Sequence, residues 1–481
     1  MRTLIAAAAT LLLFAVALDG HWMPLGLPNE WDWERLGPDS LFKPAPWFVF
    51  ALSFVLAAAI AATSYRLLDG IDRLSRGRFA AVVAVVCLLG CVFQLSVEIA
   101  SPAGLAKWCM FSGEGADGYY RHVRRHVPTV QDAIRGHAGF CEQHCYPHLS
   151  TNPAGWVVVH RMLLSFYEAH PELARAAFKL EMEEMTQGYE ELVHVRLPYV
   201  DRAALLSIAY GSRIIAWFVG LPVAWLVSLR FGRGAALVAA AASYLVPASI
   251  LFAPRSDTVY TTFAAIILAL SCYAAKRSSW AAAAAAAALV AAGMMFSLCF
   301  SVVAVMASIL VGLEFLRERR VPAKPMMAAA AAFAAVLLLT MAFGYSPFQT
   351  WLANLECNKK IIGDRTAWLW AMVNPLEMAV AMGLPAAVFL LGRTVADLRD
   401  RKCDSLLVGW LTALLALDFS GASLGEVARL WIFAMPVGVA LGVERLDLSS
   451  RQGRLVIGGF LLLQAISCIM LSRDLVVVGF A

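Results

Sequence analysis

The sequence predicts an all-α membrane protein, a polytopic bundle of about thirteen transmembrane helices with its unusual residues on one face. Three observations lead there. Of 481 residues, 60% are hydrophobic and 15% charged, against roughly 25% charged in an ordinary soluble domain. Mean hydropathy is +0.70. The apolar residues fall in long continuous runs, not in the short alternating segments of a β-barrel. Together these exclude a soluble enzyme, a disordered chain and a nucleic-acid-binding domain. The 39 basic and 34 acidic residues leave a net charge of +5, a mild excess of the kind that cytoplasmic loops supply.

Runs near the roughly 17–25 residues that cross a hydrocarbon core are read at 4–18, 47–65, 79–97, 214–229, 234–252, 258–275, 280–295, 296–315, 325–343, 375–392, 405–417, 430–443 and 455–471. The first follows Arg2 and contains Ala15-Val16-Ala17, so it resembles a signal peptide; an uncleaved anchor is preferred because many helices follow. The pair at 280–315 reads as a hairpin broken near Gly293. Basic residues cluster after the second, fourth, sixth, eighth, tenth and twelfth runs: Arg66, Arg73, Arg76 and Arg78; Arg230 and Arg233; Lys276 and Arg277; Arg317, Arg319, Arg320 and Lys324; Arg393, Arg399, Arg401 and Lys402; Arg445, Arg451 and Arg454. If the runs alternate, all six clusters share one side, which the positive-inside rule makes cytoplasmic.

Three regions follow: N-terminal helices with a first outer loop over 1–99, an outer region over 100–210, and a helical bundle over 211–481. The outer region is too polar to span and too long for a bare connector. Within it, 171–192 places Leu173, Ala177, Leu180 and Met185 at helical spacing. That helix lies either on the membrane surface or inside a small external domain.

Four cysteines face outward on this topology: Cys109, Cys141, Cys145 and Cys357. Pairing cannot be deduced from sequence. Cys141, His144, Cys145 and His148 could supply soft metal ligands, though Cys-x3-Cys is not a strong zinc signature. No cofactor is assigned, and a divalent metal stays open.

The outer connectors carry the candidate chemistry. The first holds Asp19, Glu30, Asp32, Glu34 and Asp39 among Trp22, Trp31 and Trp33; interfacial anchors and a sugar-binding surface both fit. In the outer region, glycines flank Asp117 in Gly113-Glu-Gly-Ala-Asp117-Gly118-Tyr119-Tyr120, a tight turn that projects the carboxylate. His148-Leu-Ser-Thr151-Asn152-Pro153-Ala-Gly155 is a turn leading into a helix. Further on come Pro254-Arg255-Ser-Asp257 and Gly425-Glu426-Val-Ala-Arg429-Leu-Trp431. Arg429 sits at a span end on the side where arginine is rarer. A guanidinium there suits a lipid phosphate or pyrophosphate. A closed Glu426–Arg429 pair at i, i+3 is the competing interpretation.

In this order, Asp117-Gly-Tyr-Tyr, His148-x-Ser-Thr151-Asn-Pro-Ala-Gly155, Pro254-x-x-Asp257 and Gly425-Glu426-x-x-Arg429-Leu-Trp431, the chain resembles a bacterial family of the GT-C class of multi-pass membrane glycosyltransferases. Two departures stand out: Asn152 replaces the family's second histidine, and Ala154 its second proline. The resemblance implies an inner-membrane enzyme whose outward-facing site takes a sugar from a polyprenyl-phosphate carrier, with inversion. Its partners would be that donor, membrane lipid and a glycan, lipid or protein acceptor, with no nucleic acid. It further implies Asp117 as general base, with Asp19, Glu30 and Asp32 competing, since the class usually carries the acid in the first outer loop. Glu426, Arg429, Arg255, Asp257, His148 and Glu30 would bind substrate. Arg429 is the expected phosphate ligand, with Arg255, Arg213 and Arg365 as substitutes. A transporter or flippase of a lipid-linked or anionic substrate is the alternative, and a scaffold that binds a partner through the outer region is a third. A transporter should place ionisable residues midway through several spans.

Overall fold

The computed structural model describes all residues except 21, 23–24, 34, 37–43, 114–117, 183–184, 320–321, 403 and 476–481. It is an all-α protein; among the described residues the only sheet is a two-stranded hairpin pairing Gly26–Leu27 with Trp31–Asp32. Among the described residues, eight helices are long and apolar enough to cross a membrane, nine if one bent pair counts as a span, and three shorter apolar helices join them. Many large apolar side chains on these helices are exposed, including Leu12, Leu13, Val55, Leu338, Leu339, Met372, Leu376 and Leu391, the surface of a protein that lipid surrounds.

The first helices match the sequence. Helix α1 (Arg2–Asp19) buries Ala7, Leu11, Phe14 and Leu18, a stripe at three- and four-residue spacing, against later helices. Helices α2 (Ala51–Leu67) and α3 (Arg76–Ala100) follow, and Ser75 caps α3 by accepting from the Arg78 amide at 3.3 Å.

The region after α3 folds into short helices: α4 (Lys107–Gly113), α5 (Tyr119–His126), α6 (Val130–Gln143), α7 (Gly155–Ala169), α8 (Pro171–Phe178) and α9 (Met185–Val193). The single helix expected over 171–192 is two, because the chain leaves helical geometry after Phe178 and resumes at Met185. Thr129 and Asp132 form a capping box at the start of α6.

Helix α10 (Tyr199–Trp217) starts well before the run expected at 214 and leads through a short turn into α11 (Gly220–Phe231); together they form one 33-residue apolar stretch. Tyr120 of α5 donates to Asp201 of α10 at 2.7 Å, tying the outer region to the bundle.

The run expected over 234–252 is not one span but α12 (Arg233–Ser243) and α13 (Pro247–Leu251), with every residue from 235 to 256 buried. Helices α14 (Ser256–Arg277), α15 (Trp280–Gly293), α16 (Cys299–Glu318) and α17 (Ala323–Ala342) follow the sequence reading, including the break after Gly293, and α18 (Pro347–Ile362) packs against α6. The run expected over 375–392 is also not one helix. Helices α19 (Ala367–Met382) and α20 (Leu384–Arg399) meet at 116°. Gly383, at φ 98°, makes that bend, and a Cβ there would collide with the Gln464 side chain. The chain ends with α21 (Ser405–Phe419), α22 (Val427–Leu430), α23 (Met435–Val443) and α24 (Arg451–Asp474).

Both interruptions are satisfied by one residue of α24. Gln464 donates to the Met382 carbonyl at 2.6 Å and the Leu245 carbonyl at 2.7 Å, and accepts from the Ala386 amide at 3.2 Å. A broken helix in an apolar setting needs such a partner, since no water reaches the freed backbone groups.

The two ends of the bundle differ. At one end Arg230, Arg393 and Arg445 interlock with Asp397, Asp404 and Glu444: Arg230 reaches Asp404 at 2.6 Å, Arg393 reaches Asp404 at 3.0 Å and contacts Glu444, and Arg445 reaches Asp397 at 2.5 Å. All three guanidiniums lie within 6 Å of the Phe231 ring. Arg233 reaches the Leu74 carbonyl, Lys276 the Leu229 carbonyl and Glu314 accepts from Ser405. These contacts join all six basic connectors, and Arg454 adds a further tie to Asp69 at 3.4 Å. Helices α14 and α16 then run the length of the bundle: Asp257 and Cys299 lie at their far ends, each about 30 Å away at 1.5 Å per residue.

Candidate functional site

The far end of the bundle holds a cavity of about 230 Å³. Its floor is the turn between α21 and α22. Gly425, at φ 80°, approaches the Trp370 ring and Arg365 so closely that a Cβ would meet both within 3.1 Å, and its amide donates to Asn374 Oδ1 at 3.2 Å. Glu426 follows in the left-handed region at φ 57° as the N-cap of α22. It and Arg429 therefore meet across the helix start and not along a helix face. The Glu377 carboxylate accepts from the Ala428 amide at 3.0 Å and from Trp33 Nε1 at 3.1 Å, which fixes α22 against α19.

Arg429 is 2% exposed, and three side chains from different parts of the chain hold its guanidinium. Nη2 donates to Glu426 Oε2 at 2.8 Å, Nη1 donates to His148 Nε2 at 2.9 Å, and Nε faces Asp257 Oδ2 at 3.6 Å. Asp257 belongs to the first turn of α14. Because an arginine only donates, His148 Nε2 accepts, so the imidazole is neutral with any ring proton on Nδ1. Burial, then the Arg429, Arg255 and Arg365 charges, hold His148 well below its usual pKa. With its Nε2 lone pair on Arg429, His148 positions the guanidinium and is not poised to take a proton.

The His148 turn is braced from below. Asn152 Nδ2 donates to the His148 carbonyl at 2.8 Å, and Tyr119, of α5, donates to the same carbonyl at 3.4 Å. Asn354 of α18 donates to the Ser150 carbonyl at 2.7 Å. Asn152 thus closes the turn locally. Thr151 and Asn152 both line the cavity, with Asn354 and Asn358 opposite.

Arg365, after α18, is a second cation on the cavity. It donates to the Leu424 carbonyl and approaches Glu426 Oε1 at 3.4 Å, so Glu426 bridges two guanidiniums. Behind it, Glu30 accepts from the Thr366 amide at 2.9 Å, Thr366 Oγ1 at 2.6 Å and Trp370 Nε1 at 2.6 Å. The Thr366 hydroxyl, the Thr366 amide and Trp370 hold the Glu30 carboxyl below its usual pKa.

Of the residues expected from sequence, His148, Asp257, Glu426 and Arg429 line one cavity. Glu30 stands behind its wall, and Arg255 sits beside it, buried with its guanidinium 4.5 Å from the Phe111 ring. Arg213 lies elsewhere, paired with Glu98. Asp117 lies outside the described residues, as do Glu34 and Asp39. Among the described residues no three His, Cys, Asp or Glu side chains converge as metal ligands; Cys141 faces His137 and Asn354, while His148 faces Arg429. Asn354, Asn374 and Glu377 went unrecognised in the sequence. The available signal was polar residues inside apolar helices, which are costly there unless paired or functional.

An almost wholly apolar cavity of about 430 Å³ shares a wall with the polar one. Phe296 and Phe300 line it while Ser297, Leu298 and Cys299 between them line the polar cavity, and Tyr260 adjoins Asp257 in the same way. Tyr260 accepts from Trp156 Nε1 at 2.8 Å at this boundary. No protein-family model and no curated protein matches the sequence.

Proposed function

We propose that the protein is a membrane glycosyltransferase of the GT-C type, moving a sugar from a polyprenyl-phosphate carrier to an acceptor on the outer face of a bacterial inner membrane. One observation supports it most: a buried, three-sided arginine cradle with a second arginine, opening beside a larger apolar cavity. A polyprenyl-phosphate sugar has that composition, a phosphate between a polar head and an apolar tail. A planar guanidinium fork matches a phosphate better than an ammonium does, and neutralising the departing lipid phosphate is what the reaction needs as positive charge develops at the anomeric carbon.

In this proposal Arg429 and Arg365 receive the phosphate, Glu426 and Asp257 orient the guanidiniums, and His148 fixes Arg429 through its neutral Nε2. Asp117 acts as general base on the acceptor hydroxyl. The basic network at the opposite end of the bundle supports a cytoplasmic assignment for that end, which turns the cavity outward. About thirteen spans require the short and broken helices to count as crossings.

Transport of an anionic substrate would need ionisable groups along a path. Glu98 and Arg213 are such a pair within helices, yet both are fully buried and tied to Gln94 and Trp108, the pattern of a structural tie. The test is transfer itself. Purified protein given polyprenyl-phosphate sugars and a cell-envelope acceptor fraction should release free polyprenyl phosphate. Protein that moves the intact lipid between leaflets of a vesicle without cleaving it would establish the transport alternative.

A further inference from the structure

Two walls of the candidate cavity come from separate parts of the chain, the 144–152 turn and helix α18, and the contacts between them bring a cysteine of each into the same neighbourhood. Gln349 of α18 donates to Glu142 at the end of α6 at 2.9 Å. Further along, Asn354 donates to Cys141 Sγ at 3.5 Å and to the Ser150 carbonyl at 2.7 Å. Cys357 is the next residue on that face of α18, three positions on. Helix α6 ends at Gln143, so Cys145 lies two residues past it, beside the wall that Asn354 grips, and close enough to Cys357 for each thiol to feel the other's charge. Cys141 is already engaged by His137 at 3.5 Å and by Asn354, and Cys109 is buried in α4.

We propose that Cys145 and Cys357 form a disulfide that staples the His148 turn to α18 and so fixes the cavity's two walls. It rests on the outward orientation proposed above, because such bonds persist in oxidising compartments. The accessibilities suit a two-step exchange. Cys145 is exposed and Cys357 buried, so the thiolate of Cys145 attacks an external disulfide, such as an oxidised dithiol protein, and expels one external thiolate. The Cys357 thiolate then attacks Cys145 Sγ and expels the second. The external disulfide takes both electrons and becomes two thiols, which take up the two protons the cysteines lose. The link closes 212 residues, from 145 to 357, and sets Pro147 and His148 against Asn354 and Asn358 across the cavity.

The test is peptide mapping of protein taken from native membranes with free thiols alkylated during acid quench. A reductant-sensitive pair joining the peptide with Cys145 to that with Cys357 is expected. It should persist in Cys141→Ser and vanish in Cys145→Ser and Cys357→Ser. Absence of the link in native protein overturns the disulfide. Treating that protein with an added thiol oxidant then shows which premise failed. Linking only after oxidant means that the thiols are adjacent but face a reducing compartment, which removes the outward orientation. No linking even then means that the adjacency is wrong and leaves the orientation untouched.

Discussion

Arg429 concentrates the chemistry of the cavity at the residue scale, and its partners give distinct expectations. His148 accepts one of its hydrogen bonds, so His148→Gln, which keeps an acceptor, should retain much of the donor affinity. His148→Lys sets a second cation against Arg429 and should lose it. A charge-assisted hydrogen bond is worth about 1.5–3 kcal/mol, so loss of the acceptor should weaken apparent donor affinity by roughly ten- to a hundredfold. Equal affinity in both variants would remove His148 from the site. The pH dependence has a definite sign. Because the folded state holds His148 well below the free value near 6.5, the unfolded chain takes up the proton first. The stability that neutral His148 contributes is complete above about pH 6.5 and declines as pH falls below it. Asp117→Asn should reduce transfer by about 10²–10⁴-fold without unfolding the protein, the usual effect of losing a general base. Near-normal turnover in that variant would shift the role to Asp19, Glu30 or Asp32. Asp257, Glu426 and Arg429 were legible in sequence because each is a charged residue at a short turn beside an apolar run, and His148 because it stands in the turn that leads into α7. Arg365 could be named only as a substitute, and Asn354 not at all, since nothing local shows that α18 folds back over the 148–152 turn.

Helices were legible wherever one apolar run makes one straight element, as in α2, α3, α14, α16, α17 and α24. The runs at 234–252 and 375–392 misled because composition alone cannot show where an apolar helix stops. Gly383 and Pro385 mark one break, but what makes it tolerable lies about eighty residues away in sequence, in Gln464. Replacing Gln464 by leucine would leave the Met382 and Leu245 carbonyls and the Ala386 amide without this partner. Each buried group left unsatisfied costs about 1–3 kcal/mol, so Gln464→Leu should melt at clearly lower temperature in detergent. An unchanged melting temperature would mean that the breaks are satisfied in another way.

At the scale of the whole molecule, one end carries the interlocked arginines and acids and the other carries the cavity, and the basic clusters in alternate connectors mark the first of these ends in the sequence. Which end faces the cytoplasm is tested by accessibility labelling of single cysteines in a cysteine-free background: positions 73, 319 and 399 should label from inside, and 117 and 426 from outside. Labelling of 117 and 319 from the same side would break the alternation. The cavity's purpose has a more direct test, in binding of a polyprenyl-phosphate sugar to purified protein in detergent, measured by titration for the parent, Arg429→Lys and Arg429→Ala. Saturable binding is expected in the parent, with affinity lower by about ten- to a hundredfold in Arg429→Lys, which keeps the charge but not the fork, and lower still in Arg429→Ala. If Arg429→Ala bound the donor as tightly as the parent, Arg429 would be a structural partner of Glu426 and His148 and not the phosphate ligand.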